Sequence, residues 1–326
     1  MNPSRDKLEQ ALARIADSAG EGGRAFLRVW PGRARAAADA ADALAAAGAE
    51  RGPLAGRIVS IKDLLDIKGE PTTAGSVVLR DAPPAMSDAP VVARLAAAGA
   101  AIVGKTNMTE FAYSGVGINP HYGTPGNPYD RARIPGGSSS GAAVAVADGM
   151  CEIAIGSDTG GSVRLPAALC GIVGFKPTAR RVPTKGALPL STSLDSIGPL
   201  ARSVADCTIA DAVLAGEAPS VAPPMALDGV RLLLATTTVL DGLDAAVSAD
   251  FARALTRLSD SGARIVERKL ELIERMAEAN AGGGFAAAEA YAWHRNLLAR
   301  HAEEYDPRVR ARIERGKNMS AADYIA

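Results

Sequence analysis

Apolar positions near the N-terminus follow helical spacing. Leucine and isoleucine residues recur three and four positions apart within residues 4–19 and predict an amphipathic helix. The alanine-rich segment over residues 34–47 predicts a second helix that ends near a glycine. We expect residues 1–50 to form an N-terminal helical layer that packs against the outside of the remaining chain.

Strand-like apolar runs alternate with helical segments further along the chain. Residues 56–62 predict a strand, residues 88–98 a helix, and residues 101–104 a second strand. A helix of small residues over 142–147 and a short strand over 152–156 repeat this order. Because such alternation is typical of layered α/β proteins, we predict an α/β fold.

Glycine and proline interrupt these patterns in two regions. Residues 105–135 predict loops with one short helix near residues 108–112, and residues 171–202 predict little regular structure. A capping-box pattern at Ser203 then predicts a helix that ends at Gly216.

A linker over residues 217–228 precedes a final section in which the periodicity is clear again. Residues 230–235 predict a strand, residues 247–258 a helix, and residues 263–266 another strand. Residues 285–326 are charged and predict helices. Because the chain ends about one turn after a residue that can cap a helix, we expect a C-terminal truncation.

The composition limits the classes of function. The chain has 326 residues, of which 48% are apolar and 22% charged, as in a globular protein with a substantial core. Its formal net charge is zero, whereas nucleic-acid binders and membrane-surface proteins carry a basic excess, so we expect a small, roughly neutral substrate. The N-terminus lacks the apolar core of a signal peptide, and no apolar run reaches the length of a membrane span. The cytoplasm is therefore the expected location.

Three cysteines, Cys151, Cys170 and Cys207, are too few and too scattered for a disulfide framework or a cysteine-rich metal site. Each lies in an apolar run. We therefore expect all three to be buried small hydrophobic side chains.

Two glycine–serine turns lie at the centre of the chain. The first reads Gly-Gly-Ser-Ser-Ser-Gly over residues 136–141, and the second reads Asp-Thr-Gly-Gly-Ser over residues 158–162. Glycines let consecutive backbone N–H groups turn toward one point, where they can stabilise an oxyanion. Ser162 ends the second turn, so its hydroxyl could face a carbonyl bound by the same N–H groups.

A nucleophilic serine needs a base, and histidine is the usual one. The chain has three histidines. His121 lies in a loop and is expected to be a structural hydrogen-bonding residue. His294 and His301 lie on the late charged helix and are expected to be ordinary surface or groove residues. This distribution disfavours a Ser-His-Asp triad.

Lysine is the alternative base. Lys62 ends the apolar strand predicted over residues 56–62, where partial burial would lower the pKa of its amine and let it act as a base. Lys105 ends a similar apolar strand. The spacing alone leaves both lysines open.

The two turns and their flanking segments resemble the amidase signature family. The matching motifs are SIKD at 60–63, GKTNMTEFA at 104–112, GGSSSG at 136–141, GSDTGGSVRLPA at 156–167 and GIVGFKPT at 171–178. They follow one another in the order of the family and cover about residues 55–200 without a break. The whole series is highly specific, whereas a single glycine–serine turn would not be.

The resemblance implies a catalytic triad of two serines and a lysine. Ser162 matches the nucleophile of the family, and Ser138 matches a bridging serine that the family holds through a cis peptide, here the Gly137–Ser138 bond. Lys62 matches the base, which selects it over Lys105.

The second turn matches the oxyanion hole of the family. The N–H groups assigned to it by this resemblance belong to Thr159, Gly160, Gly161 and Ser162. Arg164 matches a common arginine after the nucleophile and is expected to support the turn rather than react.

The family resemblance further implies an α/β/α sandwich with a mixed central β-sheet covered by helices. We expect this amidase-signature domain over residues 51–326, truncated at its C-terminus. The implied activity is hydrolysis of a carboxamide C–N bond in a small-molecule amide, through an acyl-enzyme that releases ammonia or an amine. Neither a metal nor an organic cofactor is expected.

Three other functions stay open at this point. The chain could be the glutaminase component of a tRNA-dependent amidotransferase, which passes ammonia to a partner protein. It could be an allophanate-type hydrolase, or a catalytically silent fragment that serves as a scaffold. We expect no membrane partner and, unless the chain is an amidotransferase component, no nucleic acid. A homodimer is kept open.

Overall fold

The computed structural model describes residues 2–221 and 223–325. The chain divides into two units, residues 1–221 with 285–326, and residues 222–284. The strands of the first unit are β1 (Phe26–Val29), β2 (Ile58–Lys62), β3 (Ala101–Thr106), β4 (Ile153–Asp158), β5 (Val173–Gly174) and β6 (Ser196–Ala201). Its α-helices are α1 (Pro3–Ala16), α2 (Gly22–Ala25), α3 (Pro31–Ala46), α4 (Pro90–Ala97), α5 (Ser140–Ala147), α6 (Arg164–Leu169), α7 (Val204–Ala215), α11 (Gly284–His301), α12 (Pro307–Glu314) and α13 (Ala321–Ile325).

The strands of the first unit form one mixed sheet in the order β1-β3-β2-β4-β6-β5. The central strands β3, β2 and β4 run parallel, whereas β1, β6 and β5 pair antiparallel with their neighbours. All residues of β2, β3 and β4 are buried. Because parallel strands place their carboxyl ends at the same edge, the sheet brings the ends of β2 and β4 together.

Helices cover both faces of this sheet. Along β2, Ile58 contributes to one buried cluster, while Val59 and Ile61 contribute to another. Helices α1, α3 and α5 contribute to the cluster of Ile58, and α4, α7 and α12 contribute to the cluster of Val59. The layers confirm the predicted α/β/α sandwich with a mixed sheet.

The second unit contains two parallel strands, β7 (Arg231–Ala235) and β8 (Arg264–Arg268), in the part of residues 222–284 that is described. Between them lies α8 (Ala245–Asp260), and Asp244 caps it by accepting the Val247 N–H at 2.8 Å. Two short helices follow, α9 (Glu271–Glu274) and α10 (Met276–Ala279). The strand–helix–strand order agrees with the predicted one.

Two strands depart from the sequence-based expectations. The prediction of little regular structure over residues 171–202 was wrong, because β5 and β6 lie there. Gly198 and Pro199 lower the strand propensity of β6, but β6 is fully buried and paired on both sides. Residues 26–29 add the edge strand β1, which the helical pattern around it did not predict. The expected boundary between residues 1–50 and 51–326 stays a prediction.

Buried side chains include one that was expected at the surface. His294 is fully buried, so the prediction of a surface or groove residue was wrong for it. Its ring packs edge-on against Phe111 at a centroid distance of 4.4 Å, and its Nδ1 lies 3.0 Å from the Tyr305 hydroxyl. Burial lowers the pKa of His294 to about 3, which keeps the ring neutral.

The three cysteines are buried, as expected. Burial raises the pKa of Cys151 and Cys170 to about 12, and that of Cys207 to about 11. Within residues 2–221 and 223–325, no helix is long and apolar enough to cross a membrane.

Candidate functional site

Lys62 ends β2 and is fully buried. Its Nζ donates hydrogen bonds to Ser138 Oγ at 2.7 Å and to Ser157 Oγ at 2.9 Å, and it lies 3.4 Å from the Ser157 carbonyl oxygen. Ser157 is the penultimate residue of β4, the strand that pairs parallel with β2. The parallel pairing thus brings the amine to the first serine turn and to the end of β4.

The electrostatic setting of Lys62 favours its neutral form. Burial lowers the pKa of Lys62 to about 7, while the charges of Asp158 and Asp195 act in the opposite direction. No hydrogen bond from Lys62 to a carboxylate is present among the described residues. A large fraction of this amine is therefore unprotonated near neutral pH.

The first serine turn is built by close backbone contacts. The Gly137–Ser138 peptide bond is cis, as the family resemblance implied. The Gly137 N–H donates to the Gly115 carbonyl at 2.8 Å, and the Ser138 carbonyl accepts the Thr109 N–H at 3.0 Å. A Cβ atom on Gly137 would lie 2.6 Å from the backbone nitrogen of Gly117, so only glycine fits there. The Ser138 side chain is fully buried beside Lys62.

The second serine turn is organised around the buried carboxylate of Asp158. This carboxylate accepts the N–H of Gly161 at 2.7 Å and that of Val163 at 3.1 Å. Arg164 donates to it from Nε at 3.0 Å and from Nη2 at 2.9 Å. Burial alone would raise the pKa of Asp158, but these hydrogen bonds lower it overall, so the group stays ionised. Arg164 supports the turn, as predicted.

The two turns are in direct contact. The Ser139 N–H donates to the Ser162 carbonyl at 3.2 Å, and the Ser162 side chain is buried next to this contact. The structure therefore brings Lys62, Ser138 and Ser162 into one site.

The oxyanion-hole residues differ in what their N–H groups do. Gly160 is exposed, and a Cβ atom built on it would meet no atom within 4 Å. The Gly161 N–H is engaged by Asp158. The N–H groups of Gly160 and Ser162 have no acceptor among the described residues. Two backbone donors thus border an open space on the Gly160 side of the turn.

The other titratable residues singled out from the sequence lie in separate hydrogen-bond networks. Lys105 Nζ lies 3.4 Å from Asp63 Oδ1 and donates to the Pro71 carbonyl at 2.9 Å. His121 Nε2 lies 2.8 Å from Glu110 Oε1, which fits the expected structural role. Neither side chain has a hydrogen bond to Ser138 or Ser162.

Sequence reasoning missed two residues of this site. Ser157 contacts Lys62, and its place directly before Asp158 at the end of a strand was the available signal. Asp195 accepts the Thr159 hydroxyl at 2.5 Å and acts electrostatically on Lys62. Asp195 lies 36 residues after Thr159, in a segment predicted to be irregular, and no local pattern marks it. Within the described ranges, no group of three or more His, Cys, Asp or Glu side chains could hold a metal ion.

Comparison with known proteins places these features in a wider set. The family model described as Amidase matches residues 6–326. A crystal structure described as that of an amidase superposes with a TM-score of 0.89 and 37% sequence identity, covering 99% of this chain and 72% of that one.

Two curated proteins match over most of the chain. 2-Amino-5-chloromuconic acid deaminase from Comamonas testosteroni is 40% identical over 304 residues, which are 91% of this chain and 65% of that protein. The A-type component of glutamyl-tRNA(Gln) amidotransferase from Anaeromyxobacter dehalogenans (strain 2CP-C) is 45% identical over 280 residues, which are 82% of this chain and 56% of that protein. The chain thus spans less than two thirds of the length of either relative.

Proposed function

The chain belongs to the amidase signature family, and we propose that it hydrolyses a carboxamide C–N bond through a Ser-Ser-Lys triad. In this proposal Ser162 is the nucleophile, Ser138 transfers the proton, and Lys62 is the base. The observation that supports it most is the 2.7 Å contact between Lys62 Nζ and Ser138 Oγ in a fully buried setting. A lysine can act as a base near neutral pH when its pKa is low, and burial brings that of Lys62 to about 7.

Acylation begins with proton transfer away from the nucleophile. Neutral Lys62 takes the proton of Ser138 Oγ while Ser138 takes the proton of Ser162 Oγ. Ser162 Oγ then forms a bond to the amide carbonyl carbon, and the carbonyl electron pair moves onto oxygen. Backbone N–H groups of the Thr159–Ser162 turn bind this oxyanion. Those of Gly160 and Ser162 are the most suitable, because the Gly161 N–H already binds Asp158.

Collapse of the tetrahedral intermediate breaks the C–N bond. The proton held by Lys62 returns through Ser138 to the leaving nitrogen, which departs as ammonia or an amine. Water then attacks the ester carbonyl of Ser162, and the same relay takes its proton and returns it to Ser162 Oγ. The sum of both half-reactions is amide plus water giving a carboxylic acid plus ammonia or an amine.

A second candidate function is the glutaminase step of a tRNA-dependent amidotransferase. The 45% identity to the amidotransferase component from Anaeromyxobacter dehalogenans favours it, and a protein of that kind would use the same triad. The two functions differ in their need for a partner. Hydrolysis of simple amides by the isolated protein supports the first, and glutamine hydrolysis only with a partner and tRNA supports the second.

A serine-directed fluorophosphonate probe tests the proposal without knowledge of the substrate. We expect the folded, intact protein to be labelled at Ser162, and the Ser162→Ala variant to remain unlabelled. Absence of labelling in the folded wild-type protein would overturn the proposal. A panel of aliphatic amides, aryl amides, glutamine and urea derivatives then identifies the substrate class.

A further inference from the structure

A carboxylate on α11 is hydrogen-bonded to a loop beside the proposed active site. Glu289 accepts the Ser191 hydroxyl at 2.6 Å, the Ser193 N–H at 3.1 Å and the Ser193 hydroxyl at 2.5 Å. It also accepts the Tyr324 hydroxyl at 2.6 Å. Burial alone would raise the pKa of Glu289, but these donors lower it to about 2. Glu289 is therefore ionised at any working pH and fixes the loop strongly.

The same loop encloses the carboxylate of Asp195. The N–H groups of Leu190 and Ser191 donate to Asp195 Oδ2 at 2.9 Å and 3.1 Å. The other oxygen, Oδ1, accepts the Thr159 hydroxyl at 2.5 Å. Thr159 is the first residue of the turn that ends at Ser162, so the hydrogen bonds continue from the loop into the oxyanion turn.

Asp195 is also linked to the base. Its negative charge stabilises the ammonium form of Lys62, as does that of Asp158, and these are the two charged groups that act on Lys62. The remaining polar neighbours of Lys62 are the uncharged side chains of Ser138 and Ser157. Asp195 thus connects with both the oxyanion turn and the base without bonding to either reacting oxygen.

We infer that Asp195 and Glu289 are positioning residues for the proposed reaction. Glu289 fixes the loop over residues 190–194, this loop fixes Asp195, and Asp195 fixes Thr159 and the turn that carries Ser162. The inference rests on the proposed amide hydrolysis. It assigns a role in the chemistry to a helix that contributes no side chain to the triad. A purely structural role for Glu289 would instead limit its effect to the folded fraction.

The rate constant for fluorophosphonate labelling of Ser162, measured from pH 5 to 9 on the intact protein, separates these roles. In Glu289→Gln, which keeps the shape but loses the charge, we expect the plateau rate to fall about tenfold with an unchanged pH midpoint. In Asp195→Asn we expect a lower plateau and a midpoint about half a pH unit lower or more, because loss of the negative charge destabilises the Lys62 ammonium. The matched control Glu303→Gln, at an exposed position after α11, is expected to behave as wild type.

Each outcome is decisive when rates are corrected for the folded fraction by thermal melting. A wild-type plateau in Glu289→Gln overturns the role of Glu289, and a wild-type profile in Asp195→Asn overturns that of Asp195. If Glu289→Gln does not fold, Ser193→Ala decides, with a two- to threefold lower plateau expected and no change contradicting the inference. Failure of the wild-type protein to label overturns the proposed function itself, and is thereby distinguished from failure of this inference.

Discussion

Two fully buried lysines lie near the ends of neighbouring parallel strands, Lys62 on β2 and Lys105 on β3. Burial lowers the pKa of both amines. Lys105 faces the Asp63 carboxylate at 3.4 Å and a backbone carbonyl at 2.9 Å. Lys62 instead faces two serine hydroxyls, at 2.7 Å and 2.9 Å.

The difference shows that burial alone does not define a base. A carboxylate partner stabilises the ammonium form, so Lys105 suits a structural ion pair. Hydroxyl groups serve an amine as well as an ammonium, because they can donate as well as accept. Lys62 can therefore lose and regain a proton without leaving a buried charge unpaired.

The largest expected effect is that of Lys62→Met on turnover. We expect kcat to fall by about 10³-fold, since a general base typically contributes 10² to 10⁴. The free energy of unfolding should not decrease, because an apolar chain of similar length replaces a buried amine. Steady-state kinetics and thermal melting check both statements. Activity within tenfold of wild type would rule out Lys62 as the base.

Lys105→Met is expected to do the opposite. The variant leaves the Asp63 carboxylate buried without its cation, which costs about 3–5 kcal/mol of folding free energy. Urea unfolding measures this loss, while the folded fraction should still be labelled at Ser162 within a few-fold of the wild-type rate. A second change, Asp63→Asn, should recover part of the stability. Wild-type stability in Lys105→Met would contradict the structural assignment.

The pH dependence of kcat/KM sharpens the contrast further. Because the base acts in its neutral form, the rate should rise with pH through a midpoint near 7, the pKa that burial gives Lys62. Below that pH the rate should fall about tenfold per unit as the amine is protonated. Lys105→Met should keep the same midpoint. A rate that is constant from pH 5 to 9 would show that no group of this kind controls the reaction.

The smallest expected effects come from the hydroxyl neighbours of the two lysines. Ser157→Ala removes an acceptor 2.9 Å from Lys62 Nζ, so the ammonium loses support and the pH midpoint should fall by about half a unit. Thr72→Val removes a hydroxyl 3.4 Å from Lys105 Nζ and should leave the midpoint unchanged. Rate–pH profiles of the two variants, measured side by side, would contradict the comparison if both midpoints moved equally.

Local patterns in the sequence predicted most helices and the central strands. The capping box at Ser203 is present, with Ser203 Oγ accepting the Asp206 N–H at 3.1 Å. The strands that pattern reasoning missed are stabilised from outside their own sequence. Pro199 of β6, for example, pairs with Ile155 of β4 and accepts the Phe175 N–H at 3.0 Å. Long-range pairing overrides a weak local propensity there.

The site divides in the same way. Ser138, Ser162 and Lys62 lie on motifs that the sequence displays, and the structure brings these residues together, while their catalytic roles remain proposals. Asp195 joins the site only through the fold, because the antiparallel pairing of β6 with β4 returns a distant loop to the second turn. No window of the sequence contains both partners of that contact.

The buried cysteines make the protein a convenient host for site-specific labels. Their high pKa values keep all three thiols protonated, so they react slowly with maleimides and iodoacetamide while the protein is folded. A cysteine introduced at Met86, whose side chain is exposed, would offer a fast-reacting thiol without prior removal of the native ones. A fluorophore attached there could report on conformational changes during turnover.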